Sequence, residues 1–298
     1  MRVTITRLRD MKERGEKICM LTAYDFSTAR FLDEVGIPVI LVGDSLGMVA
    51  LGHQSTIPVT LEEMLHHSRA VVRGSQHALI VGDMPFMTYH ASIAEGVRNA
   101  GRFLQEGGCQ AVKLEGGERM AETVKRIVDC GIPVMGHIGL TPQSINQLGG
   151  FKVQGKSTAA ALALLNDARA LEAAGVFSIV LECVPAPLAR VITETVSVPT
   201  IGIGAGVHCD GQVQVIADIL GLFTEFVPKH AKQYARLGDA IKQAATDYMN
   251  EVLSGSFPTD KESFQMDERI IAEITDEGPG SRGQGPGSRP AGKLSSIR

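Results

Sequence analysis

The chain has 298 residues, 44% of them hydrophobic and 21% charged, with 33 Gly, 13 Pro and a mean hydropathy of +0.08, a balance that excludes a fibrous or wholly disordered protein. A net charge of −4, from 29 basic and 33 acidic residues, and 5% aromatics leave neither a basic stripe nor a stacking platform for nucleic acid. No run approaches the roughly 18 apolar residues of a membrane span, the opening residues lack a signal-peptide stretch, and five scattered cysteines without a Cys-x-x-Cys pair read as reduced thiols, so a cytoplasmic protein with no membrane partner is expected.

Along the chain, Thr6–Arg14 predicts a short N-terminal helix, followed by eight short apolar runs, each leading through a polar or Gly-rich knot into a segment of helical period. The runs are Ile18–Ala23, Pro38–Val42, Ala78–Gly82, Ala111–Leu114, Pro133–Gly136, Phe177–Leu181, Pro199–Ile203 and Ile219–Phe223. Continuous apolar character suits parallel strands buried on both faces. Their onsets are about 29 residues apart on average, close to one eighth of a (β/α)8 TIM barrel; an open doubly wound sheet is the alternative. Helix ends are marked by Thr60-Leu-Glu-Glu and Ser92-Ile-Ala-Glu as capping boxes and by Gly36, Gly131 and Gly175 past helix C-termini. Lys232–Leu253 reads as one long helix. The expected division is a barrel over 1–257, a C-terminal extension over 258–277 and a disordered Gly/Pro-rich tail over 278–298, where 21 residues hold six Gly and three Pro.

Barrel chemistry sits at the C-terminal ends of the strands, and the residues that end these runs are acidic. Asp44, Asp83 and Glu115 would converge from neighbouring strands, and three carboxylates stay ionised together only beside a cation; all-oxygen ligation favours Mg²⁺. Asp25, ahead of Phe26-Ser-Thr-Ala-Arg, reads instead as a helix N-cap. Lys113, two residues before Glu115, projects to the same side of its strand, either to bind an anion or to neutralise a carboxylate. Glu182 is the spare carboxylate, flanked by Leu181, Cys183 and Val184 as a general base or a structural group. His137 is either a satisfied buried histidine or a substrate contact and proton relay. His66 and His67 read as surface or packing residues. The segment Gly202-Ile-Gly-Ala-Gly206 lacks the dinucleotide spacing and reads as clearance.

The segments Thr22-Ala-Tyr-Asp25, Gly43-Asp-Ser-Leu-Gly47, Gly82-Asp-Met-Pro85, Lys113-Leu-Glu-Gly-Gly117, Gly136-His-Ile-Gly-Leu-Thr-Pro-Gln143 and Leu181-Glu-Cys-Val-Pro185 closely resemble the ketopantoate hydroxymethyltransferase family, in order, from about Val3 to Phe257. The resemblance implies a (β/α)8 barrel that moves a one-carbon unit from 5,10-methylenetetrahydrofolate to 3-methyl-2-oxobutanoate, giving 2-dehydropantoate for pantothenate synthesis. It also implies Asp44 and Asp83 as Mg²⁺ ligands with Glu115 as a third, water-mediated partner. Asp44, Ser45, Asp83 and Lys113 would surround the oxo acid, Glu182 would be the base, and His137 would stand near the transferred group. A homodecamer is implied as well. The rival reading is a Mg²⁺-dependent 2-oxo-acid lyase or mutase of the phosphoenolpyruvate mutase and isocitrate lyase kind, which folate dependence would separate.

Overall fold

The structure, a computed structural model, describes residues 2–224 and 227–276. The chain divides into two compact units, Met1–Ala240 and Ile241–Arg298. The first contains a closed barrel of eight parallel strands in sequence order: β1 (Ile18–Thr22), β2 (Val39–Val42), β3 (Leu79–Asp83), β4 (Ala111–Glu115), β5 (Val134–Gly139), β6 (Ser178–Glu182), β7 (Thr200–Ile203) and β8 (Gly211–Gln214). Seven of these coincide with the runs expected from sequence.

The eighth does not. The run Ile219–Phe223 is no strand; residues Ile216–Ile219 form one helical turn, and β8 is the polar tetrapeptide Gly211-Gln-Val-Gln. A short apolar run cannot be assigned to strand or helix by period alone, and here Ile219 ends the helical turn while Leu220 and Gly221 form a turn and Leu222 and Phe223 lie in irregular chain. β8 is recruited by closure instead: it pairs with β1 from Ile18↔Gly211 to Leu21↔Gln214 and with β7 at Ile201↔Gly211. Gly211 is required because a Cβ there would run into the Ile18 carbonyl oxygen.

Alternation along each strand separates two cores. Ile40, Ile80, Val112 and Val134 join the shell between barrel and helices, whereas Leu41, Val81, Ala111, Met135, Val180 and Ile201 fill the barrel interior. The helix Ile5–Glu13 closes the interior from below: Leu8 is fully buried in that cluster, and Lys12 donates to the carbonyls of Thr193, Val196 and Val198 and pairs with Asp210 at 3.0 Å. On the outer layer, Thr60 and Glu63 form the expected reciprocal capping box of helix Leu61–Gly74. Ser92 accepts from the Glu95 N–H, with no return bond from Glu95 among the described residues. Gly36, Gly131 and Gly175 stand at φ +82°, +83° and +93° just past their helices, the left-handed position that ends a helix without Cβ strain.

The second unit contains most of helix Leu237–Ser254, with Tyr248 set edge-on against Phe257 at 5.6 Å, and helix Glu268–Asp276. The tail expected over 278–298 lies outside the described residues. No helix among the described residues is long and apolar enough to cross a membrane.

Candidate active site

The parity that fills the barrel continues upward into the site. Val81 is followed two residues on by Asp83, Ala111 by Lys113 and Glu115, Met135 by His137, and Val180 by Glu182, so each polar side chain takes the inward direction of the apolar one below it. Strand register then decides which of them meet. Asp83 lies opposite Lys113 and Glu115 opposite His137, while Glu182 faces Gly139, which has no side chain to crowd it.

The resulting contacts form one network. Lys113 Nζ donates to Asp83 Oδ1 at 2.7 Å, and the Asp44 backbone N–H donates to Asp83 Oδ2 at 3.2 Å. The ring of His137 lies between two carboxylates, Nδ1 at 3.5 Å from Glu115 and Nε2 at 3.3 Å from Glu182, neither with hydrogen-bond geometry, so both nitrogens are buried without a hydrogen-bond partner among the described residues. Ser45 Oγ is 2.9 Å from the Tyr24 hydroxyl. Asp44, Asp83, Lys113, Glu115 and His137 are each 4% exposed or less, and the Glu182 side chain is 16% exposed. They line a cavity of about 380 Å³ at the top of the barrel, within the usual range for a small-molecule site.

Burying so much charge has electrostatic consequences. Burial, then the neighbouring charges of Asp83 and Glu115, push the Asp44 carboxyl well above its ordinary pKa against the opposing pull of Lys113 and Gln143. Burial would strip the proton from Lys113, but Asp83, Glu115 and Asp44 outweigh it and its pKa rises. For His137, burial and Lys113 favour the neutral ring, yet Glu115 and Glu182 on either side prevail and bring its pKa up to about 9. By residue type the network gathers four carboxyl groups, Asp44, Asp83, Glu115 and Glu182, against two basic groups, Lys113 and His137.

A hard divalent ion fits that imbalance. Among the described residues no three His, Cys, Asp or Glu side chains are gathered as a ready-made cluster, but Mg²⁺ asks for less: one or two direct carboxylates, with water and substrate completing its octahedron. Asp44 and Asp83 are the residues suited to direct contact. Glu115 accepts from the Gln143 backbone N–H at 3.0 Å and lines the same cavity as the third carboxylate.

Two residues were not singled out from sequence. Gln143 is buried behind the carboxylates; its Nε2 donates to Asp44 Oδ2 at 2.9 Å and to the Met84 carbonyl at 3.0 Å, and its Oε1 accepts from Tyr89 OH at 2.7 Å. Tyr89 OH in turn accepts from the Glu115 N–H at 3.1 Å. Gln143 stands within the motif Gly136–Gln143, which was its signal, but Tyr89 lies in an irregular turn where Met87 takes φ +67° and nothing local points to it. Asp25 is an N-cap, accepting from the Thr28 N–H at 2.9 Å. His66 is exposed and His67 is within 2.6 Å of the Tyr24 carbonyl, both consistent with surface or packing roles. Gly204 stands at φ +65°, and a Cβ there would meet His230 and Cys183, so both backbone conformation and close neighbours favour glycine at this position.

Comparison with known proteins places these observations. A family model described as ketopantoate hydroxymethyltransferase matches residues 2–260. A protein of Dehalococcoides mccartyi named 3-methyl-2-oxobutanoate hydroxymethyltransferase is 66% identical over 274 residues, 92% of this chain and 97% of that protein. Among solved structures, phosphonopyruvate hydrolase in complex with oxalate and Mg²⁺ is similar at TM-score 0.57 with 10% identity, covering 93% of this chain and 96% of that one. So is 2,3-dimethylmalate lyase, of the phosphoenolpyruvate mutase and isocitrate lyase superfamily, at TM-score 0.56 with 16% identity, covering 92% and 99%. At those identities the structural likeness is one of fold.

Proposed function

The chain belongs to the ketopantoate hydroxymethyltransferase family, and from that premise we propose that it transfers a hydroxymethyl group from 5,10-methylenetetrahydrofolate to 3-methyl-2-oxobutanoate, releasing 2-dehydropantoate and tetrahydrofolate. The observation that carries the reading is the buried Lys113 ammonium on the carboxylate side of the cavity, with the Glu182–His137 pair lining the same space. An acidic protein would thereby receive an anionic substrate by local rather than overall charge.

Asp44 and Asp83 would hold Mg²⁺, with Glu115 reaching it through water, and when bound the ion supplies Lewis acidity that stabilises charge at the 2-oxo group. Lys113 and Ser45 bind the substrate's oxygens and keep the C3–H bond turned toward Glu182. Glu182 takes the C3 proton, and His137, charged beside it, holds the carboxylate in place. The C3 carbanion equivalent bonds to the methylene carbon of the folate as the first of its two carbon–nitrogen bonds breaks, and the nitrogen released takes up the proton that Glu182 removed. Water then provides the hydroxyl as the second carbon–nitrogen bond breaks, and the remaining proton of that water goes to the second nitrogen, giving tetrahydrofolate. Burial of the site keeps water from the carbanion before that bond forms.

The test is NMR of 3-methyl-2-oxobutanoate in D₂O with protein and Mg²⁺ but no folate. Exchange at C3 is expected, lost with EDTA and reduced about 10²–10⁴-fold in Glu182→Gln. Undiminished exchange in that variant would remove Glu182 as the base. Adding methylenetetrahydrofolate should yield 2-dehydropantoate; cleavage or rearrangement of a 2-oxo acid without folate would favour the lyase and mutase reading. The proposal includes the homodecamer that the family implies, for which light scattering should give the mass of ten 31.8 kDa chains.

A further inference from the structure

The charged residues at the ends of β2 to β6 leave one side of the cavity unused. That side is built from β7, β8 and the segment after them, and its walls include the apolar Ile203, Val213 and Val215. Set into it is Asp218, 7% exposed, whose carboxylate makes no hydrogen bond or ion pair among the described residues. A buried carboxylate without donors is costly and calls for an explanation.

Gln214 adds a second acceptor to the same wall. Its Nε2 donates to the His230 carbonyl at 3.2 Å, which settles which end of the amide is nitrogen, and its Oε1 is buried with no partner. Two unpaired acceptor groups in one partly apolar wall match a flat ligand whose edge carries only donors. The oxo acid cannot be that ligand, because it has no N–H and its negative charge would be repelled. The tetrahydropterin of the proposed one-carbon donor can: its N3–H and 2-amino group are parallel donors spaced to meet the two oxygens of one carboxylate.

We propose that Asp218, assisted by Gln214, binds the 2-amino-4-oxopyrimidine edge of the folate and so determines how its methylene carbon approaches the oxo acid. This rests on the transferase reading above. Asp218 and Ser45 line the same cavity, and the Ile216 N–H, two residues before Asp218, donates to Thr22 Oγ1 at 3.0 Å, two residues before the Tyr24 that bonds Ser45, so the pterin site adjoins the oxo-acid site rather than lying apart from it.

The test compares two donors in the wild-type full chain: 5,10-methylenetetrahydrofolate and its 2-desamino-2-methyl analogue. Loss of one charge-assisted donor should lower kcat/KM about 10–100-fold, chiefly through KM for the donor. Asp218→Ala should lose a similar factor on the natural donor and no longer distinguish the two, while Asp218→Asn, which keeps one acceptor, should fall between. Wild-type use of both donors within about threefold, or persistent discrimination in a folded Asp218→Ala, would overturn the assignment. Equilibrium dialysis of tetrahydrofolate and its 2-desamino analogue reads the same contact without turnover. A wild type that discriminates by dialysis yet makes no 2-dehydropantoate would refute the transferase reading alone; equal binding of the two would refute the pterin contact alone.

Discussion

Replacing Gln143 with Leu should uncouple the carboxylates from the scaffold behind them. The substitution conserves approximate volume and leaves the Gln143 backbone N–H on Glu115, so the loss is confined to the side-chain amide. Three buried groups then lose their partner: Asp44 Oδ2, the Met84 carbonyl and the Tyr89 hydroxyl proton. A buried polar group left unpaired costs about 1–3 kcal/mol, the Leu side chain regains part of that through apolar burial, and Asp44 can limit its share by taking up a proton. The net expectation is a loss of about 2–5 kcal/mol. Urea unfolding without Mg²⁺ measures it, and Tyr89→Phe in a double-mutant cycle should couple to Gln143→Leu by about 1 kcal/mol or more. Because the amide also orients Asp44, Mn²⁺ affinity followed by EPR should weaken about 10–100-fold. A stability loss below about 1 kcal/mol together with unchanged Mn²⁺ binding would show that the carboxylates are held without this network.

Three further outcomes follow from the same structure. Lys113→Met leaves Asp83 buried without its cation, and urea unfolding of the metal-free protein should show about 3–5 kcal/mol of destabilisation; a loss under about 1 kcal/mol would mean that the carboxylates are already protonated. Asp33 is partly buried, which pushes its pKa up, but bonds from Ser75 and the N–H groups of Gln76, Ala78 and His77 prevail and lower it to about 2 from 3.8. Its stabilisation is therefore complete above pH 4 to 5 and lost as pH falls toward 2, so wild type should exceed Asp33→Asn by about 1 kcal/mol at neutral pH, allowing for solvent screening, and the two should converge near pH 2; a gap independent of pH would refute the ionic origin. Gly74→Ala would drive a Cβ into the Phe26 carbonyl oxygen where helix Leu61–Gly74 crosses helix Phe26–Glu34, lowering stability by about 1–3 kcal/mol in thermal melts, whereas a rise in Tm would mean the crossing is looser than it stands.

Much of the site could be read along the chain because one strand carries its own record of direction. Ala111, Lys113 and Glu115 are two apart, so the side of the sheet that buries the first must receive the others, and the helix caps at Thr60 and Asp25 are likewise matters of three or four adjacent residues. Burial on both faces also made seven strands visible as apolar runs. What local sequence could not decide was whatever depends on a partner distant in the chain. β8 is a strand because β1 and β7 need a partner between them to close the barrel, and its own residues, half of them polar, say little. The pairing of Glu115 with His137 is a matter of register, and the raised pKa of that ring follows from Glu115 and Glu182 arriving on two different strands. Gln143 meets Asp44 across 99 residues of chain and Tyr89 across 54. Side-chain period is local, whereas charge, hydrogen bonding and closure are settled by distances in space. The sequence by itself therefore determined which residues point into the barrel, and only the tertiary structure decided which of them touch.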